Sequence, residues 1–251
     1  MTRVISIVSG KGGVGKTMLA ANLGIALSEL GKSVTLIDGN ITTANLSLHL
    51  GMPIFPVTLH DVLKGKSSIL DAIYEHHTGV KIIPAGISLE DLKGTDIRDL
   101  PTLLTNLFGK EEIIIIDAAA GLGREALTAM ESGDEVIFVT NPELPAVLDV
   151  LKAGKLSLQL GVKPLGCVVN RVTGRKHEMN EREISSLIDM EILAKIPEDE
   201  NVKKAISEKL PVIKYKPNSP ASVEIKKLAR RLIGIDYFEE PWYKKVLWFL
   251  R

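Results

Sequence analysis

Arg3-Val4-Ile5-Ser6-Ile7-Val8-Ser9 runs directly into Gly10-Lys11-Gly12-Gly13-Val14-Gly15-Lys16-Thr17-Met18, and this stretch decides the fold. Residues 3–9 read as a strand, and residues 16–30 have helical period. Between them residues 10–17 satisfy G-x-x-x-x-G-K-[ST], in the strand–loop–helix context that pattern requires. Gly10, Gly12, Gly13 and Gly15 let the backbone curl, so that successive N–H groups point at phosphate oxygens, and the helix that follows adds its positive end. Lys16 is placed to reach β- and γ-phosphates, and Thr17 to offer a hydroxyl to Mg²⁺. The expected nucleotide contacts span Gly10 to Met18, with Val14 among them.

Outward from this loop, short β-branched runs alternate with longer helical segments. Strands are expected at 3–9, 33–38, 80–84, 112–117, 135–140, 165–170 and 193–197. Two of them, Ile113-Ile114-Ile115-Ile116-Asp117 and Val136-Ile137-Phe138-Val139-Thr140, are continuous apolar runs, which suits strands buried on both faces. Helices are expected at 16–30, 43–50, 97–108, 124–131, 143–160, 181–188, 202–208 and 220–233. The pattern predicts an α/β fold, a doubly wound, mostly parallel sheet with helices on both faces. Residues 1–234 form one nucleotide-binding domain on this reading, and residues 235–251 a tail. Asp38 closes the second strand beside the phosphate loop, where a carboxylate can hold Mg²⁺ waters or the attacking water.

Lys11 makes the loop K-G-G-x-G-K-T, which resembles the deviant Walker A superfamily, the MinD/ParA group of dimeric P-loop ATPases. The resemblance runs from Met1 to about Gly234 and is closest to the MinD proteins that position cell division. It implies ATP and Mg²⁺ as ligands, a homodimer closed around ATP, and a Lys11 that reaches across to the partner's nucleotide, much as an arginine finger would. Family members carry an aspartate two positions after Asp38 to orient the hydrolytic water. Asn40 stands there in this chain; an amide can position water but cannot take its proton, so hydrolysis is expected to be slow. Ile113–Gly121 resembles the family's Walker B strand and switch, with Asp117 binding Mg²⁺ through water. Ala119 replaces the usual proline of D-x-P-A-G, which implies a less rigid switch loop. Val168-Val169-Asn170-Arg171 and Ile196-Pro197-Glu198-Asp199 resemble the adenine-side segments, where Asn170 reads the base edge and Arg171 flanks or stacks on the ring. No N-K-x-D is present for guanine, so ATP is favoured over GTP.

The chain has 251 residues with 31 Lys+Arg against 31 Asp+Glu, so no global basic field recommends a nucleic-acid partner. Cys167 is the one cysteine, which excludes an internal disulfide or a cysteine-only iron–sulfur site within one chain and fits a reducing cytoplasm. The opening residues lack a secretory pattern, and no window approaches a membrane span. Of eleven aromatic residues, Tyr237, Phe238, Trp242, Tyr243, Trp248 and Phe249 fall in the last fifteen positions. At 100° per residue Trp242, Tyr243, Val246, Leu247, Phe249 and Leu250 share one arc, with Lys244, Trp248 and Arg251 on the other side and Lys245 near the border. That is the pattern of an interfacial helix on anionic lipid, and it resembles the C-terminal membrane-targeting helix of MinD proteins.

The expected function is therefore an ATP-dependent switch and slow ATPase, cytoplasmic and peripheral to the membrane, reset by a regulatory partner protein. A DNA-partition ATPase is the alternative, since Lys226, Lys227, Arg230 and Arg231 could form a basic patch, though such a run is more often a solvated face and DNA is not the expected partner. A non-hydrolysing ATP-dependent binding module, suggested by Asn40 and Ala119, is a third reading.

Overall fold

The structure, a computed structural model, describes residues 2–235. The tail helix expected at 242–250 lies outside them. Eight strands form one sheet: β1 (Arg3–Ser9), β2 (Val34–Gly39), β3 (Tyr74–Glu75), β4 (Lys81–Ile83), β5 (Ile113–Ala120), β6 (Glu135–Thr140), β7 (Lys163–Val172) and β8 (Ile192–Pro197). Their order is β3-β4-β2-β5-β1-β6-β7-β8, parallel throughout except for the antiparallel β3–β4 edge.

The isoleucine run explains why helices cover both faces. Successive strand residues point to opposite sides. Ile114 and Ile116 accordingly join one apolar cluster with Val4, Phe138 and Cys167, while Ile113 and Ile115 join the other with Ile5, Ile7 and Val168. All four isoleucines are buried, and each contributes about 2 kcal/mol as an upper bound. On the first face lie α3 (Leu59–Leu63), α5 (Leu100–Leu104), α6 (Arg124–Glu131), α7 (Leu144–Gln159) and α8 (Glu181–Ile188). On the second lie α1 (Lys16–Glu29), α2 (Leu46–His49), α9 (Glu200–Ser207), α10 (Val212–Tyr215) and α11 (Pro220–Leu232). The short α4 (Leu89–Leu92) buries no residue.

Several expectations need correction. The helix at 43–50 is only α2, because Asn40, Thr43 and Asn45 make local side-chain hydrogen bonds that hold residues 40–45 in a loop. The helix at 97–108 is broken into a 3₁₀ turn (Ile97–Asp99), α5 and a second 3₁₀ turn (Thr105–Leu107), and Phe108 lies exposed beyond it. Residues 118–120 continue β5, with Ala120 paired to Ser9. The pairing with β1 shifts register across residues 118–119, and alanine at 119 keeps the backbone N–H that proline would lack.

Candidate nucleotide site

The chain order reverses around β1, which is flanked by β5 on one side and β6 on the other. Ligand crevices of open α/β sheets form at such a point, outside the carboxyl ends of the strands. The β1–β5 register shifts between Ile7 and Ser9, opening the loop side of the sheet. Gly13 (φ 77°) and Gly15 (φ 98°) take left-handed backbone that only glycine adopts without strain. Gly15 is also the N-cap residue of α1, so the cradle and the helix terminus are continuous.

Lys16 is 8% exposed, and burial lowers its pKa while Asp117 pulls it back up. Asp117, at the carboxyl half of β5, is the informative group. Both of its oxygens are buried without a hydrogen bond of regular geometry, although the Thr17 hydroxyl and the Lys16 ammonium sit near enough to counter part of its desolvation. Burial nevertheless pushes its pKa up to about 6. A carboxylate this buried with so little compensation is costly, and a divalent cation would supply the charge it lacks. No group of three or more Asp, Glu, His or Cys among the described residues could hold a metal alone. A Mg²⁺ here would take its remaining ligands from phosphate and water, as Mg²⁺ does. Thr17 and Asp117 therefore fit the ion.

Asp38 lies opposite Asp117 in the β2–β5 register. Its oxygens accept hydrogen bonds from the backbone N–H groups of Asn40 (3.2 Å), Asn45 (3.1 Å) and Leu46 (3.0 Å). Burial first, and the facing Asp117 second, push its pKa up to about 8. Asp38 thus organises the loop leading into α2, a role its position at a strand end did not announce. Asn40 is occupied locally: its amide donates to Thr43 O at 2.8 Å and its carbonyl accepts from the Thr43 hydroxyl at 3.0 Å.

The open cleft of about 400 Å³ is lined by Gly12, Gly13, Gly15, Lys16, Thr17, Met18 and Asn40 at the loop end, and by Asn170, Arg171, Pro197 and Glu198 at the other. Gly10, Lys11, Val14, Asp38 and Asp117 are outside this lining. Gly10 has a packing duty instead, because a Cβ there would fall 2.2 Å from Asp149 Cβ on α7. Lys11 is half-exposed and its Nζ sits 3.6 Å from Glu143 Oε2. Asn170 is buried and donates to Val14 O at 2.7 Å, so one amide hydrogen braces the phosphate loop. Arg171 adopts left-handed backbone (φ 60°) and its Nε stands 3.8 Å from Glu198, which Lys203 also approaches at 3.5 Å. Val202, Lys203 and Ile206 of α9, His49 of α2, and Thr43, Asn45, Ala120 and Asp199 complete the cleft. The sequence reading does not place Val202, Lys203, Ile206 or His49 there; the amphipathic spacing of α9 is the available signal.

Residues 5–212 match the CobQ/CobB/MinD/ParA nucleotide-binding domain. The chain belongs to that family. An ATP-binding protein of Methanocaldococcus jannaschii whose function is uncharacterised is 42% identical over 245 residues, 98% of this chain and 93% of the relative. The septum site-determining protein MinD of Pyrococcus horikoshii, solved with Mg-ADP, superposes with a TM-score of 0.90 at 42% identity, covering 92% of this chain and 96% of that one. The MinC:MinD cell division complex of Aquifex aeolicus gives a TM-score of 0.84 at 30% identity, covering 96% and 99%. The protein is thus a MinD-like member of the MinD/ParA ATPases. Of the candidate basic patch, Lys226 donates to Pro217 O, Lys227 pairs with Glu224, and Arg231 is bound to Glu191, so these cations are engaged within the chain.

Proposed function

We propose that the protein is an ATP-dependent switch that closes as a homodimer around Mg-ATP, hydrolyses it slowly, and uses its paired tails to reach an anionic membrane. The observation that carries this reading is Asp117, a buried carboxylate without regular hydrogen bonds beside Thr17 and Lys16 under a glycine cradle. Mg²⁺ supplies charge neutralisation to the bound phosphates, and every other contact comes from the chain: the loop N–H groups and Lys16 bind, Asn170 braces the loop, and the wall at Pro197 and Glu198 receives the base. Among the described residues the half-exposed Lys11 makes a long contact to Glu143, which suits a cation able to serve the neighbouring subunit's nucleotide. Asn40 cannot accept the water's proton, and the switch therefore dwells in its ATP state until a partner protein reads or resets it; the Aquifex aeolicus MinD is solved in complex with MinC. A single short tail binds lipid weakly; two held together bind far better through effective concentration.

Light scattering with a non-hydrolysable ATP analogue and Mg²⁺ is expected to show a dimer that Lys11→Ala abolishes. Vesicles containing phosphatidylglycerol should pellet the ATP-bound protein but not a chain lacking residues 241–251. Phosphate release is expected to rise in Asn40→Asp. A monomer under all conditions, or tail-independent binding to DNA at physiological salt, overturns the reading.

A further inference from the structure

Away from the nucleotide cleft, a groove of about 550 Å³ runs between α7, the start of β7 and the turn that joins α8 to β8. Leu151 and Leu158 of α7, Leu165 of β7, and Ile188 and Met190 make its apolar walls. Gly154 makes room for this: a Cβ there would lie 2.7 Å from Met190 Cε, so the bare helix backbone lets the thioether lie against it. A methionine wall adapts to what it receives. Leu158, 67% exposed, extends the apolar wall at one end of the groove.

The described chain ends fastened to this groove. Arg231, in the last turn of α11, donates to Ile192 O at 3.2 Å and Leu193 O at 2.7 Å and pairs with the Glu191 carboxylate on the groove wall. Ile235 follows four residues later and sixteen residues remain. At about 3.4 Å per extended residue, residues 236–241 span about 20 Å, enough to bring residue 242 back to the groove that Arg231 already touches. The next nine residues carry the apolar arc and, with Lys244 and Lys245, positive charge. The wall carries Asp189 beside Lys155, and Glu191, which Arg231 already holds. A linker this short gives an effective concentration of about a millimolar, which favours a chain's own groove over a second copy's.

We propose that, away from membrane, residues 242–250 dock their apolar arc into this groove of their own chain. The proposal rests on the amphipathic reading of the tail given above, and makes membrane attachment a competition. A tail docked most of the time binds lipid more weakly by the fraction left free.

Trp242 and Trp248 are the only tryptophans in the sequence, so tryptophan emission reports on the tail alone. In vesicle-free buffer the full chain is expected to emit at shorter wavelength than a peptide of residues 236–251, independently of protein concentration. Leu158→Lys, at an exposed site, should shift the emission to that of the peptide and tighten binding to phosphatidylglycerol vesicles several-fold. Leu158→Cys combined with Leu247→Cys should form a disulfide within one chain; the native Cys167 is buried, its thiol pushed up to about 12, and does not compete. Peptide-like emission from the native chain, emission indifferent to Leu158→Lys, a blue shift lost on dilution, or disulfides only between chains each overturn the proposal. Blue-shifted emission that Leu158→Lys reverses, in a chain that never pellets with vesicles, upholds docking and overturns the membrane reading alone.

Discussion

Replacing Asp117 by asparagine is expected to stabilise the nucleotide-free protein above neutral pH while weakening its hold on Mg²⁺. Asp117 is 1% exposed, and burial moves its pKa from 3.8 to about 6 against the pull of Thr17 and Lys16. A native pKa above the unfolded one means that the fold binds the proton more tightly, so stability falls as pH rises from about 4 and the deficit is complete above about 6. That displacement amounts to about 3 kcal/mol. Asparagine carries no such pH-dependent deficit, but its buried amide leaves donors unpaired at about 1–2 kcal/mol. The net expectation is a gain of about 1–2 kcal/mol at pH 8 and a loss of similar size at pH 4. Asp38 adds to the gain, because its own raised pKa rests partly on the facing Asp117 charge. Urea unfolding followed by far-UV circular dichroism at several pH values measures this; tryptophan emission does not, since both tryptophans lie in the tail. Saturating Mg-ATP should reverse the ranking at pH 8. A variant less stable than the native chain at pH 8 without Mg²⁺, or a gain that does not vary with pH, refutes the reasoning.

Gly15→Ala places a Cβ 2.2 Å from Asn170 Nδ2 on backbone at φ 98°. Left-handed strain and the displaced hydrogen bond together are expected to cost about 2–3 kcal/mol, read as a lowered Tm and weakened nucleotide binding. Asn170→Ala removes only the brace to Val14 O, so a smaller stability loss of about 1 kcal/mol should accompany a raised nucleotide Kd in equilibrium dialysis. The Cys167 thiol, buried and raised to about 12, should resist a thiol reagent at pH 8 in the native protein and react fully in urea.

The parallel sheet and the phosphate loop were legible because they rest on local patterns: continuous apolar runs, and glycines at fixed offsets before Lys16. Residues 51–79 and 85–96 carry no expected element, although signals are present. Thr58 with Asp61, Ser68 with Asp71 and Ser88 with Asp91 are capping boxes, three residues apart, and each starts a short helix or 3₁₀ turn that hydrophobic period is too coarse to detect. At the site, residue types identified Lys16, Thr17 and Asp117 as a group that the fold does bring together. What residue type could not disclose was the company each side chain keeps. Asp38 reads as a ligand and is found holding three backbone N–H groups. Asn170, expected at the base, lines the cleft and also braces Val14, and Gly10 of the expected phosphate cradle also packs against α7. These are contacts between residues 100 or more apart in the chain, or hydrogen bonds that a strand end makes with the loop after it, and no window-based pattern contains them.

The packing of α7 ties the phosphate loop to the groove at the far end of the same helix. Glu143, its N-cap, faces Lys11. Asp149 lies so close to Gly10 that no Cβ fits between them. Leu151, Gly154 and Leu158, about half a turn to two and a half turns further along, form the wall of the apolar groove. The middle of the helix is pinned to the sheet by Val147, Val150 and Ala153, all buried. An element held this way moves as a rod or not at all, because close-packed interiors have no slack to absorb a local shift. A substitution at Gly10 therefore cannot be a change in phosphate binding alone. Gly10→Ala must push Asp149 and with it α7, so it should alter the tail's tryptophan emission as well as nucleotide affinity, whereas Gly12→Ala, whose Cβ meets only Ala120 Cβ at 3.7 Å, should leave the emission unchanged. Equal emission from both variants and the native chain would mean that the loop and the groove are independent, and that α7 takes up the added methyl group by side-chain adjustment of Asp149.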